Sequence, residues 1–454
     1  MLERNFPSDF IWGSAASSYQ IEGAHDQDGR GESIWDRFSH TSGNIHNNDT
    51  GDVACDHYNL YQEDINLMQD LGLDSYRFSI SWPRIFPEGR GDINQDGLDF
   101  YKRLADGLLE AGIKPAATLY HWDLPQALQD EGGWFNRDII HYFREYAEEI
   151  FKELGDFIDF WITHNEPWVV AFLGHYFGEH APGITDQAKA VAVSHNLLLS
   201  HGLAVQTYRD LFGSQGEIGL TLDLHPVYPA GDSSRDRKAV ELCDAFKNRW
   251  FLEPIFRGRY PEELLTKYQQ HLQQPEIEDD DLEIISKPVD FLGVNYYTRK
   301  LVGYNPKPQI LKFRTVDVED SKHTAMGWEV YPEGLYDLLS RIDQDYQPEK
   351  IFITENGAAY DDEVTVSAEG KAVRDPERID YVRQHIDMAG RAVEEGVPLK
   401  GYYLWSLLDN FEWAYGYSKR FGIIYVDFET QERIFKDSAR WYRDLINNQE
   451  EYSG

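Results

Sequence analysis

Eight short apolar runs alternate with amphipathic segments along the chain. The runs predict strands at Phe10–Ala15, Ser75–Ile80, Pro115–Leu119, Phe157–Thr163, Glu217–Leu222, Phe291–Asn295, Ile351–Thr354 and Tyr402–Trp405. Apolar residues at helical spacing predict helices at Tyr58–Leu71, Asp96–Ala111, Arg137–Leu154, Ala188–Tyr208, Asp375–Glu395 and Ser438–Ile446. Strands that alternate with helices indicate a parallel sheet. Eight such units over 454 residues predict a single-domain (β/α)₈ barrel, residues 1–454, with extended βα loops.

A doubly wound open sheet is the alternative to the barrel. No G-x-G-x-x-G pattern follows the first predicted strand, which disfavours a dinucleotide-binding sheet. Polar or aromatic residues follow almost every run, and a barrel would bring them together in one pocket at the carboxyl ends of its strands. These residues are Gln20, His121, Trp122, Asn165, Glu166, Asp223, Asn295, Tyr297, Glu355 and Trp405.

Two of the apolar runs lead to a glutamate that is followed by a breaker. The segments are Phe160–Pro167, which contains Glu166, and Ile351–Gly357, which contains Glu355. Cleavage of a glycosidic bond needs two such carboxyl groups: one donates a proton to the leaving oxygen, and the other meets the positive charge on the sugar carbon. We therefore interpret Glu355 as the nucleophile and Glu166 as the acid/base.

The two roles require opposite protonation states. Glu355 must be ionised, and Arg77 could supply a neighbouring charge while Tyr297 donates a hydrogen bond. Glu166 must hold a proton in the first step, so we expect burial and nearby negative charge to raise its pKa. The alternatives are an ordinary strand-end carboxylate for Glu355 and a carboxylate at a helix N-terminus for Glu166.

Other residues near the strand ends suit a sugar ligand. The amides of Gln20 and Asn165 can both donate to and accept from hydroxyl groups. His121 can donate to a hydroxyl, and Glu412 can accept from two adjacent ones. Trp405 and Trp413 can offer flat apolar faces to a sugar ring. The alternatives are loop capping for the amides, metal binding or core packing for His121, and core packing for the tryptophans; no H-x-H or H-E-x-x-H pattern supports a metal.

The overall composition restricts partners and location. There are 43 Lys and Arg against 79 Asp and Glu, a net charge of −36, which argues against nucleic acids and anionic membranes as partners. Two cysteines, Cys55 and Cys243, make neither a disulfide framework nor a zinc cluster. The N-terminal segment Met1–Pro7 lacks a signal-peptide pattern, and no apolar stretch is long enough to span a bilayer. A cytoplasmic location is therefore expected, and homo-oligomer formation stays open.

Taken in order, the motifs resemble those of the β-glucosidases of glycoside hydrolase family 1 along essentially the whole chain. The segments that carry the resemblance are Phe10–Ala16, Gln20–Gly23, Thr163–Pro167, Asn295–Tyr297, Met326–Glu329, Ile353–Gly357, Trp405–Asn410 and Phe411–Trp413. The resemblance implies a retaining mechanism on a (β/α)₈ barrel, with no cofactor and no metal. It also implies a small-molecule β-glucoside substrate and a role in cellulose or other polysaccharide degradation.

The resemblance assigns roles to individual residues. Glu166 would be the proton donor and Glu355 the nucleophile, with their carboxyl groups about 5 Å apart, as retention requires. Asn295 would assist near the 2-hydroxyl, Tyr297 would orient Glu355, and Trp328 would contact the aglycone. Contacts to the glycone would come from Gln20, His121, Trp122, Asn165, Trp405, Glu412 and Trp413.

Three other functions are alternatives to a β-glucosidase. A β-galactosidase is close in chemistry. A 6-phospho-β-glucosidase is disfavoured because Glu412 would repel a phosphate dianion. A non-catalytic sugar-binding barrel typically loses one of the two glutamates, and both are present here. Asp223 occupies a position where many bacterial members carry asparagine, which leaves the aglycone contacts open.

Overall fold

A closed parallel barrel lies at the centre of the protein. The computed structural model describes residues 6–272, 277–308, 310–367 and 370–452. Each strand pairs with its neighbours in chain order, and the last pairs with the first, so the predicted (β/α)₈ barrel is confirmed. The barrel strands are β1 (Ile11–Ala15), β2 (Ser75–Ser79), β3 (Lys114–Tyr120), β4 (Phe160–Asn165), β5 (Glu217–Asp223), β6 (Phe291–Asn295), β7 (Ile351–Asn356) and β8 (Leu399–Trp405).

Helices and short sheets surround the barrel. The longer helices are His57–Leu71, Gln95–Glu110, Ile139–Leu154, Gln187–Phe212, Ser234–Asp244, Trp250–Arg257, Glu262–His271, Glu333–Tyr346, Pro376–Glu394 and Asp437–Tyr452. Other helical segments are Ser18–Ile21, Ile34–His40, His46–Asn48, Trp82–Ile85, Gln126–Asp130, Gly133–Phe135, Val169–Phe177, Ala245–Arg249, Asp281–Ile285 and Trp413–Tyr415. Three small sheets are built from Val227–Pro229, Lys300–Tyr304 and Phe313–Thr315, from Val364–Ser367 and Gly370–Val373, and from Ile424–Val426 and Arg433–Phe435.

The barrel interior is filled with side chains. Phe160 and Phe291 stack with their ring centroids 4.3 Å apart, and Phe352 meets both rings edge-on. Small residues such as Ala15 and Ala116 complete this cluster. The barrel is therefore a packed core rather than a pore, and its open space lies above the carboxyl ends of the strands.

Several predicted boundaries were wrong, for identifiable reasons. The predicted strand Phe157–Thr163 starts only at Phe160, because the amides of Phe157 and Ile158 bond back to the carbonyl of Leu154 at the end of the preceding helix. The last strand begins at Leu399 rather than Tyr402, since Lys400 and Gly401 interrupt its apolar pattern. The predicted helix ending at Tyr208 continues to Phe212.

Four of the longer helices, in two intervals between barrel strands, were not predicted: Ser234–Asp244, Trp250–Arg257, Glu262–His271 and Glu333–Tyr346. Glu333–Tyr346 fills the interval between β6 and β7 and buries Leu335, Leu338, Leu339 and Ile342 at helical spacing. Between β5 and β6, residues 234–257 are helical although Pro254 lies inside the last segment. In the part of the chain that the structure describes, no helix is both long and apolar enough to cross a membrane.

Candidate active site

The predicted site residues meet at one cavity above the carboxyl ends of the strands. The cavity has a volume of ≈ 430 Å³. It is lined by Glu166, Glu355, His121, Trp122, Tyr297, Trp328, Trp405, Glu412 and Trp413. The four remaining predicted residues lie buried behind this lining and bond to it; these are Gln20, Arg77, Asn165 and Asn295.

Glu355 is held between a cation and a hydroxyl group. Arg77 Nη1 donates to Glu355 Oε1 at 2.6 Å, and Tyr297 Oη donates to Oε2 at 2.7 Å. Gly357 follows two residues later, and its backbone lies close against β8. A Cβ at residue 357 would lie 1.7 Å from the carbonyl oxygen of Trp405. Burial raises the pKa of the Glu355 carboxyl, whereas the Arg77 charge and the two donors oppose that rise.

Glu166 lies just beyond the end of β4 and has fewer donors. Asn295 Nδ2 donates to Glu166 Oε1 at 2.6 Å, and the Glu166 amide bonds to the carbonyl of Thr221 at 2.9 Å. Burial raises the pKa of Glu166 well above its ordinary range, and the negative charges of Asp223 and Glu355 raise it further. Since only Glu355 contacts a guanidinium, a proton shared between the two glutamates resides on Glu166.

Asn165 connects both glutamates to His121. Its Oδ1 accepts from Arg77 Nη2 at 2.7 Å and from Asn295 Nδ2 at 3.1 Å. Its Nδ2 faces His121 Nε2 at 3.1 Å, so Nε2 is the acceptor and Nδ1 carries the ring proton. Burial lowers the pKa of His121 and keeps the ring neutral, and Nδ1 has no partner among the described residues. His121 is therefore a neutral ring in the cavity wall, with Nε2 turned toward Asn165 and Nδ1 buried.

Aromatic rings and Glu412 form a further part of the cavity wall. The His121 ring lies nearly parallel to the rings of Trp405 and Trp413, with centroids 6.0 and 5.9 Å away. Gln20 Nε2 lies 3.4 Å from Glu412 Oε2. Burial raises the pKa of Glu412 to about 8, and the charge of Glu355 adds to the rise. These contacts fix side chains that can receive several hydroxyl groups at once.

Unusual backbone conformations concentrate at this cavity. Trp122, Glu166 and Trp413 have φ angles of 82°, 49° and 46°. For residues with a Cβ, this left-handed region costs about 1 kcal/mol or more each. The surrounding packing therefore holds three ligand-facing residues in conformations that an isolated chain avoids. No local signal in the sequence marked them.

A charged cluster beside Glu166 was largely missed. Lys247 Nζ pairs with Asp223 Oδ2, and His225 Nε2 lies 2.8 Å from Asp223 Oδ1. Lys247 also lies 3.4 Å above the ring of Trp168. Lys247 and His225 keep the pKa of Asp223 well below its usual range despite burial, so Asp223 is an anion in the cavity wall. Of these residues only Asp223 could be predicted from the sequence, because it directly follows a predicted strand.

Comparisons with known proteins agree on one family. The family model described as glycosyl hydrolase family 1 matches residues 2–451. Beta-glucosidase A of Acetivibrio thermocellus is 55% identical over 450 residues, covering 99% of each chain. The 1,4-beta-D-glucan glucohydrolase of Thermotoga neapolitana is 51% identical over 447 residues, covering 98% of this chain and 99% of the relative. The family 1 β-glucosidase of Thermotoga maritima, solved with isofagomine lactam, superposes with a TM-score of 0.94 at 52% identity, covering 98% of this chain and 99% of that structure.

Proposed function

The chain belongs to glycosyl hydrolase family 1, and we propose that it is a retaining β-glucosidase acting on cellobiose-like disaccharides and on aryl or alkyl β-glucosides. The family resemblance of the sequence motifs is confirmed. The observation that carries the proposal is the pair of buried glutamates, one against a guanidinium and the other beside an anion. Double displacement needs one ionised and one protonated carboxyl group.

In the first step, Glu355 attacks the anomeric carbon while Glu166 protonates the departing oxygen. A covalent glycosyl ester forms on Glu355, and the aglycone leaves with the proton. Arg77 and Tyr297 keep the attacking carboxylate ionised and oriented. Once the ester forms, Glu355 loses its negative charge, and the pKa of Glu166 falls because that charge no longer acts on it.

In the second step, Glu166 acts as a base. It takes a proton from a water molecule that attacks the anomeric carbon, and the ester bond to Glu355 breaks. Two inversions give net retention of the β configuration. The mechanism requires the two carboxyl groups to stand about 5 Å apart, and this separation stays a prediction.

The glycone contacts follow from the cavity wall. The His121 ring, which lines the cavity, contacts a sugar hydroxyl, and Gln20 and Glu412 bind hydroxyl groups on the far side of the sugar. Asn295 contacts Glu166 and can reach the 2-hydroxyl. Trp405 and Trp413 flank the ring, and Trp122 supports Trp413 with ring centroids 4.4 Å apart. Trp328, 5.3 Å from the Tyr297 ring, lies on the aglycone side.

We also propose a biological role, a location and a domain organisation for the enzyme. A β-glucosidase that releases glucose from short oligosaccharides takes part in cellulose and polysaccharide degradation. We place the enzyme in the cytoplasm and treat residues 1–454 as one catalytic domain. The homo-oligomeric state is left open.

Initial rates test the proposal. The substrates are 4-nitrophenyl β-glucoside, β-galactoside and 6-phospho-β-glucoside, with Glu355→Gln as the variant and Glu110→Gln, an exposed position, as its matched control. We expect the wild type and Glu110→Gln to turn over the glucoside fastest, and Glu355→Gln to lose at least about 10⁴-fold in kcat. No turnover on any substrate would indicate a sugar-binding barrel. Faster turnover of the phosphorylated substrate would refute the role given to Glu412.

A further inference from the structure

One ammonium group on the wall of the active-site cavity has no counter-ion among the residues that the structure describes. Lys300 lines the cavity from the first position of the strand Lys300–Tyr304. Its backbone amide bonds to the carbonyl of Pro226, and its side chain makes no ion pair with any described residue. An unpaired lysine inside a cavity is unusual in a chain with a net charge of −36.

The other charges on this wall are already neutralised. Lys247 is paired with Asp223. Burial lowers the pKa of His225 to about 4 and raises that of Cys243 to about 12, so both side chains are uncharged. The amide of Lys300 bonds to the carbonyl of Pro226, the residue after His225, so Lys300 stands beside His225 in the cavity lining that also contains Cys243. Among the described residues, Lys300 is therefore the positive charge of this wall that has no ion-pair partner.

Glu179 is an exposed carboxylate that also lines the cavity. It precedes His180, whose ring contacts the rings of Trp122 and Trp413. Among the described residues, no ion pair joins Glu179 to Lys300.

Aromatic side chains surround the lysine wall. Phe313 lies on the strand that pairs with Lys300–Tyr304, and its ring centroid is 6.2 Å from that of Phe246. Phe246 in turn meets Trp168 edge-on at 5.6 Å. All three rings line the cavity. A flat apolar group can pack between them, and its far end can carry a charge toward the ammonium.

We propose that the leaving-group side of this cavity recognises β-glucosides of aromatic acids. The aromatic ring of the aglycone packs against Phe246, Phe313 and Trp168, and its carboxylate pairs with Lys300. This inference rests on the proposed β-glucosidase function and adds a substrate class to it. A partly buried ion pair of this kind gives about a fivefold preference or more.

The test compares two substrates that differ only in charge. They are 4-(carboxymethyl)phenyl β-glucoside and its amide, 4-(carbamoylmethyl)phenyl β-glucoside. The methylene group insulates the ring, so the two leaving groups have nearly equal acidity. The readout is the acid-to-amide ratio of kcat/KM within each protein, which cancels losses that affect both substrates.

Four proteins are measured: the wild type, Lys300→Met, Lys300→Arg and Lys307→Met. Lys307 is exposed and follows the same strand outside the cavity, so its substitution changes net charge equally. We expect the ratio to fall about fivefold or more in Lys300→Met and to be kept in Lys300→Arg and Lys307→Met. A second measurement needs no variants: it compares the inhibition of the wild type by 4-hydroxyphenylacetate with inhibition by 4-hydroxyphenylacetamide. We expect the acid to inhibit about fivefold more strongly.

Three results would overturn the proposal. The first is an unchanged ratio in Lys300→Met, and the second is equal inhibition by the acid and the amide. The third is the same fall in Lys307→Met, which would assign the effect to the overall field of the protein. Failure of the wild type to hydrolyse even the neutral amide substrate would instead refute the β-glucosidase function itself.

Discussion

The ends of β4 and β7 carry the same residue type in opposite surroundings. Around Glu355, a guanidinium and a phenol donate to the carboxylate at 2.6 and 2.7 Å. Around Glu166, one amide donates, and the anion Asp223 lies nearby. The comparison shows how one barrel assigns two glutamates to two roles: a charge partner keeps the nucleophile ionised, and burial with negative charge keeps the acid protonated.

The largest effect on the rate is expected when residue 166 can no longer donate a proton. In Glu166→Gln, we expect kcat/KM to fall about 10²- to 10⁴-fold on cellobiose, whose leaving hydroxyl needs a proton. On 2,4-dinitrophenyl β-glucoside the loss should be much smaller in the first step, because that leaving group departs without a proton. The measurement is kcat/KM on both substrates. Equal losses on the two would show that Glu166 does not act as the acid.

A smaller effect is expected when the Glu355 region loses one donor. In Tyr297→Phe, the hydrogen bond that favours the ionised carboxyl is removed, so the pKa of Glu355 rises. The low-pH limb of the kcat/KM profile should move to higher pH, with a rate loss of about tenfold at its plateau. Tyr296→Phe is the matched control, since its hydroxyl donates to the carbonyl of Tyr331 instead. A shift of the high-pH limb instead would contradict the assignment.

The smallest effect is expected at the anion beside Glu166. Asp223→Asn removes a negative charge that raises the pKa of Glu166, and it leaves the charge of Lys247 unbalanced, which lowers that pKa further. Both changes have the same sign, so the high-pH limb of kcat/KM should move to lower pH by up to about one unit. Asp232→Asn, at an exposed position, serves as the control. An unchanged high-pH limb would mean that the charge of Asp223 does not contribute to this pKa.

The difference between these regions also explains what the sequence could predict. The two glutamates, Arg77 and Asn295 lie on or directly beside barrel strands, and apolar runs with polar ends place such residues reliably. Tyr297 follows β6 by two residues. The hydrophobic periodicity of the chain predicts that these residues lie at the ends of strands, and the closure of the barrel then brings them together.

Residues on the long loops follow a different rule. Lys247 lies on the helical segment Ala245–Arg249, far from any predicted strand end, and reaches Asp223 only through the fold of its loop. Lys300 likewise enters the cavity on a strand of a small sheet that was not predicted. The positive φ angles of Trp122, Glu166 and Trp413 depend on packing from several loops. Such features are tertiary, and local pattern carries no signal for them.

Covalent trapping tests the assignment of the two glutamates most directly. With 2-deoxy-2-fluoro-β-D-glucosyl fluoride, fluoride departs readily while the fluorine at C2 slows hydrolysis of the ester, so the glycosyl-enzyme accumulates. Intact-protein mass spectrometry followed by peptide mapping should find one fluoroglucosyl group on Glu355 and none on Glu166. An adduct on Glu166, or rapid turnover through a direct displacement with no adduct, would contradict the account.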